Sequence, residues 1–164
     1  MTRFLILALL IILGSCNKDP LVEEEQMLSF PGVDERLWPY FERFEIEGEK
    51  NGLDIRLDNL NIQGIITSID EEHIAGTCQF SRNSPRLVTI DSEFWNSSGE
   101  LFREFIVFHE LGHCALRRDH DESASANGVC LSIMRSGTSG CFDQYSTNTR
   151  DYYLEELFSK TGGI

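Results

Sequence analysis

The sequence predicts an α+β fold, in which a small mixed β-sheet packs against a long N-terminal helix and a second, buried helix. Three observations carry the prediction: apolar residues at helical spacing in 33–52, short β-branched runs between turn signals, and a long apolar segment at 97–116. With 41% hydrophobic residues, the chain can build one core, and residues 31–164 are expected to form one domain.

The first predicted helix lies within VDERLWPYFERFEIEGEKNG, residues 33–52. Its apolar positions, from Leu37 to Phe44, recur at spacings of three and four. Asp34 is suited to cap the start of the helix, and Pro39 falls in the first turn, where proline is tolerated.

Short β-like runs follow this helix and are separated by Asn, Glu and Ser-Pro turn signals. A small mixed sheet is the expected product. The runs are LDIRL at 53–57, IQGIITSI at 62–69, IAGTCQF at 74–80 and RLVTI at 86–90.

The segment SSGELFREFIVFHELGHCAL, residues 97–116, predicts one uninterrupted helix. Ser97 and Glu100 are three residues apart, which is typical of a capping box at a helix start. Because the segment is apolar on nearly every side, we expect it to be buried under the sheet. An irregular region, 117–146, and an amphipathic helix around 148–160 complete the domain.

The buried helix carries a candidate metal site. His109 and His113 are four residues apart, about 40° around a helix, so their imidazoles face the same way and can supply two ligands to Zn²⁺. Glu110 is rotated by about 100° and can hold a water molecule that zinc acidifies. Burying these groups unpartnered would cost several kcal/mol, which favours a metal site over a pair of core histidines.

The longer sequence HELGHCALRRDH resembles the HExxHxxGxxH motif of metzincin metallopeptidases, in which a glycine ends the helix and a third histidine completes the site. Leu116 stands at the glycine position and Asp119 at the position of the third histidine. We favour His120 as the third ligand, in a turn one residue longer than the motif, because neutral imidazole is a common zinc ligand. Asp119 is the alternative.

A second motif also resembles the metzincins. The sequence SIM, which ends at Met134, looks like the Met-turn that lies beneath the metal in that family. The resemblance implies a metzincin-like layout over 33–160, with an irregular lower part and an edge strand that pairs with an extended substrate. We nominate RLVTI as that strand.

The function that this resemblance implies is zinc-dependent hydrolysis of protein or peptide substrates by a metal-activated water. The alternative is a catalytically silent surface protein in which zinc only stabilises a binding domain. The implied residues are the ligands His109, His113 and His120 and the general base Glu110.

Other side chains are ranked below these. Alternative third ligands are Glu155, Glu156 and Asp143, and Tyr145 is a candidate hydrogen-bond donor to substrate. We interpret His73 as a surface residue, and Trp38 and Trp95 as packing residues.

Four cysteines in the domain predict two disulfides. They are Cys78, Cys114, Cys130 and Cys141, which allow three pairings. We favour Cys78 with Cys114 and Cys130 with Cys141, since the second bridge would close a Gly/Ser-rich loop. A thiolate zinc site is disfavoured because no CxxC spacing occurs.

The N-terminus indicates export. Residues 4–13 form an apolar run that is too short to span a bilayer but suits a signal peptide. The sequence LGSC, ending at Cys16, resembles the lipobox of bacterial lipoproteins, which implies removal of 1–15 and lipidation of Cys16. Residues 16–30 would be a solvated tether.

The residues after Cys16, NKD, resemble a short export signal of surface-displayed lipoproteins. We therefore expect an outer-membrane lipoprotein, at the cell surface or on the periplasmic face, whose lipid anchor is its only contact with the membrane.

The charge of the chain is strongly acidic. Removal of 1–15 takes only Arg3 from the 14 Lys and Arg, leaving 13 basic against 27 acidic side chains and a net charge of −14. Because phosphate backbones would be repelled, nucleic acid is not expected as a partner. We interpret the charge as a source of solubility and expect a monomer.

Overall fold

The structure is a computed structural model and describes residues 29–81, 84–137 and 141–159. The predicted signal peptide, the lipidated Cys16 and all but the last two residues of the predicted tether lie outside these ranges. Within them, no helix combines the length and the hydrophobicity that crossing a bilayer requires.

The described chain is mixed α and β, as predicted. Short 3-10 turns lie at Glu35–Leu37 and Phe142–Gln144. The regular elements are α1 (Trp38–Lys50), β1 (Ile62–Thr67), β2 (Gly76–Ser81), β3 (Ser84–Asp91), α2 (Ser92–Ser97), α3 (Glu100–Cys114) and α4 (Arg150–Ser159).

The sheet has three strands in the order β1-β3-β2. Strand β3 pairs in parallel with β1 and antiparallel with β2, so it is the central strand. The nomination of RLVTI as an edge strand is therefore wrong, because its backbone groups are already paired on both sides. Its apolar pattern reflects burial of Val88 and Ile90 in the core. The edge strand next to α3 is β2.

The predicted strand LDIRL is also wrong. Residues 53–57 run as a loop that enters a turn, yet Ile55 and Leu57 are both buried in the core. The amide of Leu57 donates to Glu45 Oε1 at 2.7 Å. The alternating apolar residues thus anchor a loop. The Leu57 amide is hydrogen-bonded to a side chain and not to a neighbouring strand.

One face of the sheet is covered by α1 and α3. A Cβ on Gly64 of β1 would lie 3.0 Å from the Phe41 ring, so glycine lets α1 approach the strand closely. Phe44 of α1 packs against Phe108 of α3 and Phe158 of α4, with ring centroids 5.2 and 5.0 Å apart. These aromatic contacts join the three helices beneath the sheet.

The predicted histidine-bearing helix is present as α3, uninterrupted from Glu100 to Cys114, and a separate short helix, α2, precedes it. The carboxylate of Asp91 accepts from two amides at the start of α2, each at 2.9 Å, and therefore begins a helix before the predicted one. Ser97 ends that helix and donates to Glu93 O at 2.8 Å. Helix α3 starts after Gly99 without a side-chain cap, so the predicted capping box of Ser97 and Glu100 is wrong.

Both predicted disulfides are present. Cys78–Cys114 joins the edge strand β2 to the last residue of α3 across 36 positions, and Cys130–Cys141 closes a loop in the irregular lower part. A bridge across such a loop stabilises the folded state by about 3 to 4 kcal/mol in the chain-entropy account. The first bridge fixes the edge strand against the histidine-bearing helix.

Candidate metal centre

Three histidines meet at the C-terminal half of α3. The rings of His109 and His113 have centroids 4.8 Å apart, and His120, from the following loop, lies 4.8 Å from His113 and 5.4 Å from His109. Their candidate ligand atoms all lie within 4.8 Å of one another, so this group could hold a metal ion. The alternative ligand Asp119 is exposed and is not a member of the group.

The Nε2 atoms of His109 and His113 point at the same position. His109 Nδ1 lies 2.8 Å from Ile133 O, and His113 Nδ1 lies 2.6 Å from Arg118 O. Because a carbonyl oxygen only accepts, each Nδ1 carries the proton and each Nε2 presents a lone pair. The two Nε2 atoms are 3.1 Å apart, where their lone pairs repel unless a cation lies between them.

This spacing fits zinc. Two imidazole nitrogens bound to tetrahedral Zn²⁺ lie about 3.3 Å apart. Burial lowers the pKa of His109 to about 4 and also lowers the pKa of His113. Both imidazoles are therefore held in the neutral form that binds a metal.

The turn after α3 brings His120 back to the pair. Arg117 adopts a left-handed backbone conformation, with φ of 54°, and the Arg118 amide donates to Gly112 O at 3.0 Å, which closes the helix end. The left-handed residue comes one position after Leu116, which stands where the metzincin motif has its glycine. The turn thus brings His120, and not Asp119, into the group with His109 and His113.

Met134 lies directly beneath this helix and is fully buried. A Cβ on Gly112 would overlap its Sδ atom, so glycine at this position lets the methionine pack against the helix backbone. The preceding residue, Ile133, supplies the carbonyl that orients His109. The predicted SIM turn therefore both supports the helix and positions a candidate ligand.

A buried polar network, which was not predicted from the sequence, holds the SIM turn. Arg118 Nη2 lies 2.6 Å from Glu156 Oε1, and Ser132 Oγ donates to Glu156 Oε2 at 2.9 Å. Ser132 Oγ also accepts from the Met134 amide at 3.0 Å. Glu156, ranked as a rival ligand, thus anchors the turn and is not in the histidine group. Nothing in the pair Arg117-Arg118 indicated which arginine would be buried.

Glu110 lies under the edge strand. It is 4% exposed, and a Cβ on Gly76 of β2 would come within 2.9 Å of its Cγ and Oε1 atoms, so Gly76 makes room for the carboxylate. Burial raises the pKa of Glu110 to about 8. A dication on the neighbouring imidazoles would favour its ionised form. The role of Gly76 was not predicted.

The remaining candidates lie apart from the histidines. The Tyr145 hydroxyl is buried and donates to Glu104 Oε1 at 2.6 Å, which does not support the predicted role as a donor to substrate. Asp143, Glu155 and His73 are exposed and lie outside the histidine group. Trp38 and Trp95 pack on or in the core, as interpreted from the sequence.

A cleft of about 900 Å³ runs past the histidines, between β2 and α3. Glu110 and the three histidines line it, together with apolar side chains that include Ile74, just before β2, and Phe80, within β2. Phe80 is 70% exposed. Because β2 is an edge strand, its unpaired backbone groups can bind an extended peptide as an additional strand.

Comparisons of the chain with protein-family models, with curated proteins and with solved structures find no match.

We expect the two candidate third ligands to differ sharply in their effect on metal binding. Substituting His120→Ala should weaken zinc binding by more than about 100-fold, because loss of even an outer hydrogen-bond partner costs 10- to 100-fold. Substituting Asp119→Ala should leave the affinity within a few-fold of the parent value. The measurement is competition with a chromophoric chelator on oxidised protein, and loss of zinc only in the Asp119→Ala protein would contradict the assignment.

Proposed function

We propose that this protein is a zinc-dependent endopeptidase of the metzincin type. The observation that carries the proposal is the 3.1 Å separation of the His109 and His113 Nε2 atoms. In each ring the proton is fixed on Nδ1, so both Nε2 atoms present a lone pair. A third imidazole, from His120, stands beside them, and the Glu110 carboxylate lies along the same cleft.

Each residue has a role in the proposed hydrolysis. His109, His113 and His120 would hold the metal and leave one position open. When bound, zinc would lower the pKa of a water molecule and polarise the scissile carbonyl. Glu110 would take the proton from the water and deliver it to the leaving amine, as a general base and then a general acid.

The edge strand β2 would bind the substrate backbone. A peptide added to β2 in extended conformation would lie in the cleft that Glu110 and the histidines line. This assigns to β2 the role for which RLVTI was nominated. Because Gly76 has no side chain, the Glu110 carboxylate lies against the backbone of the strand that would bind the peptide.

The alternative is a binding domain that zinc only stabilises. Such a protein needs the histidines but gains nothing from a carboxylate buried beside them, where its charge is costly. Glu110 therefore favours the enzyme. We also propose, on the lipobox resemblance alone, that Cys16 anchors the protein to the bacterial outer membrane.

The experiment that tests the proposal is a zinc-dependent cleavage assay. We expect the zinc-loaded protein to cleave members of a randomised decapeptide library, to lose this activity with 1,10-phenanthroline, and to regain it when zinc is restored. Mass spectrometry of the products locates the cut. A stoichiometrically zinc-loaded, oxidised protein that cleaves no member would contradict the endopeptidase proposal.

A further inference from the structure

Two arginines line one end of the cleft. Arg86, at the start of the central strand, reaches under the sheet, where its Nη1 donates to Cys114 O at 2.7 Å. Arg117 lies in the left-handed turn after α3 and is exposed. The carbonyl that binds Arg86 belongs to the residue directly after His113, so this end of the cleft begins next to the metal site.

Arg86 and Arg117 differ from six other described arginines in having no acidic partner among the described residues. Neither forms an ion pair with any residue that the structure describes, although the chain has 27 acidic side chains. Arg103 stacks on the Trp95 ring. The other described arginines are all ion-paired, and they are Arg36, Arg43, Arg56, Arg118, Arg135 and Arg150.

The two positive charges also act on each other. Burial lowers the pKa of Arg86, and the nearby charge of Arg117 lowers it further. Asp119 lies on the same rim of the cleft, but it forms no ion pair with either arginine within the described residues, and its charge acts on His113. An acidic protein thus keeps two repelling cations together beside its candidate metal site.

Other parts of the cleft are lined by apolar side chains. Phe105 and Ile106 precede His109 in α3, whereas Arg117 follows the helix, and Ile74 lies just before β2. A bound peptide would therefore meet an apolar surface on one side of the histidines and two cations on the other. A guanidinium pair recognises carboxylates through charge-assisted hydrogen bonds.

We propose that Arg86 and Arg117 form a subsite for a carboxylate of the peptide substrate. The carboxylate belongs to an aspartate or glutamate side chain or to the C-terminus of the peptide. This inference rests on the proposed endopeptidase function and deepens it, because it names the chemical class of substrate.

The test measures peptide binding and peptide cleavage separately. The full-length Glu110→Gln protein, loaded with zinc and immobilised, is offered three decapeptide libraries: one with Asp and Glu and an amidated end, one with Asn and Gln and an amidated end, and one with Asn and Gln and a free C-terminal carboxylate. Mass spectrometry quantifies retention. We expect one of the carboxylate libraries to be retained about tenfold more strongly than the neutral library, and which one it is distinguishes the two sources of the carboxylate.

Variants of Arg117 connect this preference to the subsite. The preference should weaken in Arg117→Gln and disappear in Arg117→Glu, because the first removes the charge and the second reverses it. Arg56→Glu is the matched control, since it changes the net charge equally on an exposed residue outside the cleft. A preference that is absent from the parent, or that survives Arg117→Glu, would overturn the subsite.

Cleavage by protein with Glu110 intact separates this inference from the proposed function. Cleavage that shows no carboxylate preference would reject the subsite and leave the endopeptidase standing. A carboxylate preference that is lost only in the Arg117 variants supports the subsite, even if no peptide is cleaved, and the absence of cleavage then counts against the endopeptidase alone.

Discussion

The Glu110→Gln protein is expected to bind zinc as the parent protein does and to cleave peptides about 100 to 10,000 times more slowly, because general acid-base catalysis contributes this much. Glutamine has almost the same shape as glutamate and fits the space beside Gly76, but it cannot take up a proton from water. The measurement is kcat/KM on a peptide from the library assay, together with zinc stoichiometry.

The matched control for this variant is Glu72→Gln, which removes the same charge from an exposed residue in the loop before β2. Its activity should equal that of the parent. Parent-like cleavage by Glu110→Gln with full zinc occupancy would remove Glu110 from the proposed mechanism, and zinc loss would instead indicate that the carboxylate supports the metal site.

The second large effect is expected on the stability of the protein, which the substitution Glu104→Gln should lower. The Glu104 carboxylate is 1% exposed and lies 2.6 Å from Arg150 Nε, 2.7 Å from Arg43 Nη1 and 2.6 Å from the Tyr145 hydroxyl. It therefore connects α3 to α1 and α4. Removing one partner of a buried charge cluster lowers the free energy of unfolding by about 3 to 5 kcal/mol, which denaturant titration at pH 7 would measure.

Glu100→Gln provides the control, because Glu100 pairs with the same Arg43 one helical turn earlier but its side chain is 61% exposed. We expect a loss of about 0 to 1 kcal/mol for an exposed pair. Equal losses of unfolding free energy in the two variants would show that burial does not determine how much each carboxylate contributes to stability.

The stabilisation by Glu104 should also depend on pH. Burial alone would raise the pKa of Glu104, but hydrogen bonds from Arg150, Tyr145 and Arg43 outweigh burial and lower it. A carboxylate with a lowered pKa stabilises the folded state above its unfolded pKa of about 4.3, and this contribution is lost as the pH falls through the folded value. The difference in stability between the parent and Glu104→Gln should therefore shrink below about pH 4.

The histidine group that could hold a metal ion was largely predictable because its chemistry is local. His109 and His113 are brought together by helix periodicity alone, and an ionisable cluster in an apolar helix indicates a site before any tertiary contact is known. His120 needed a further inference about the length of the turn. The left-handed backbone of Arg117 lies in the turn between α3 and His120.

Apart from the local capping box of Ser97 and Glu100, the failed predictions concern contacts between distant segments. RLVTI has the same apolar pattern whether it lies at the edge or in the centre of a sheet, since that pattern reports burial and not strand order. LDIRL has a strand pattern but anchors a loop. The contacts of Tyr145 with Glu104 and of Glu156 with Arg118 join residues 41 and 38 positions apart, and no local signal predicts either pair.

The two carbonyl oxygens that orient the histidines have a consequence for how such a site can change over evolutionary time. Ile133 and Arg118 supply these acceptors from the main chain, which every amino acid possesses. Substitutions at either position can therefore alter the side chain while the imidazole keeps its acceptor, provided that the backbone path persists. The path of the backbone therefore preserves the imidazole orientation. The amino acids at these two positions carry little information about it that a sequence comparison could recognise.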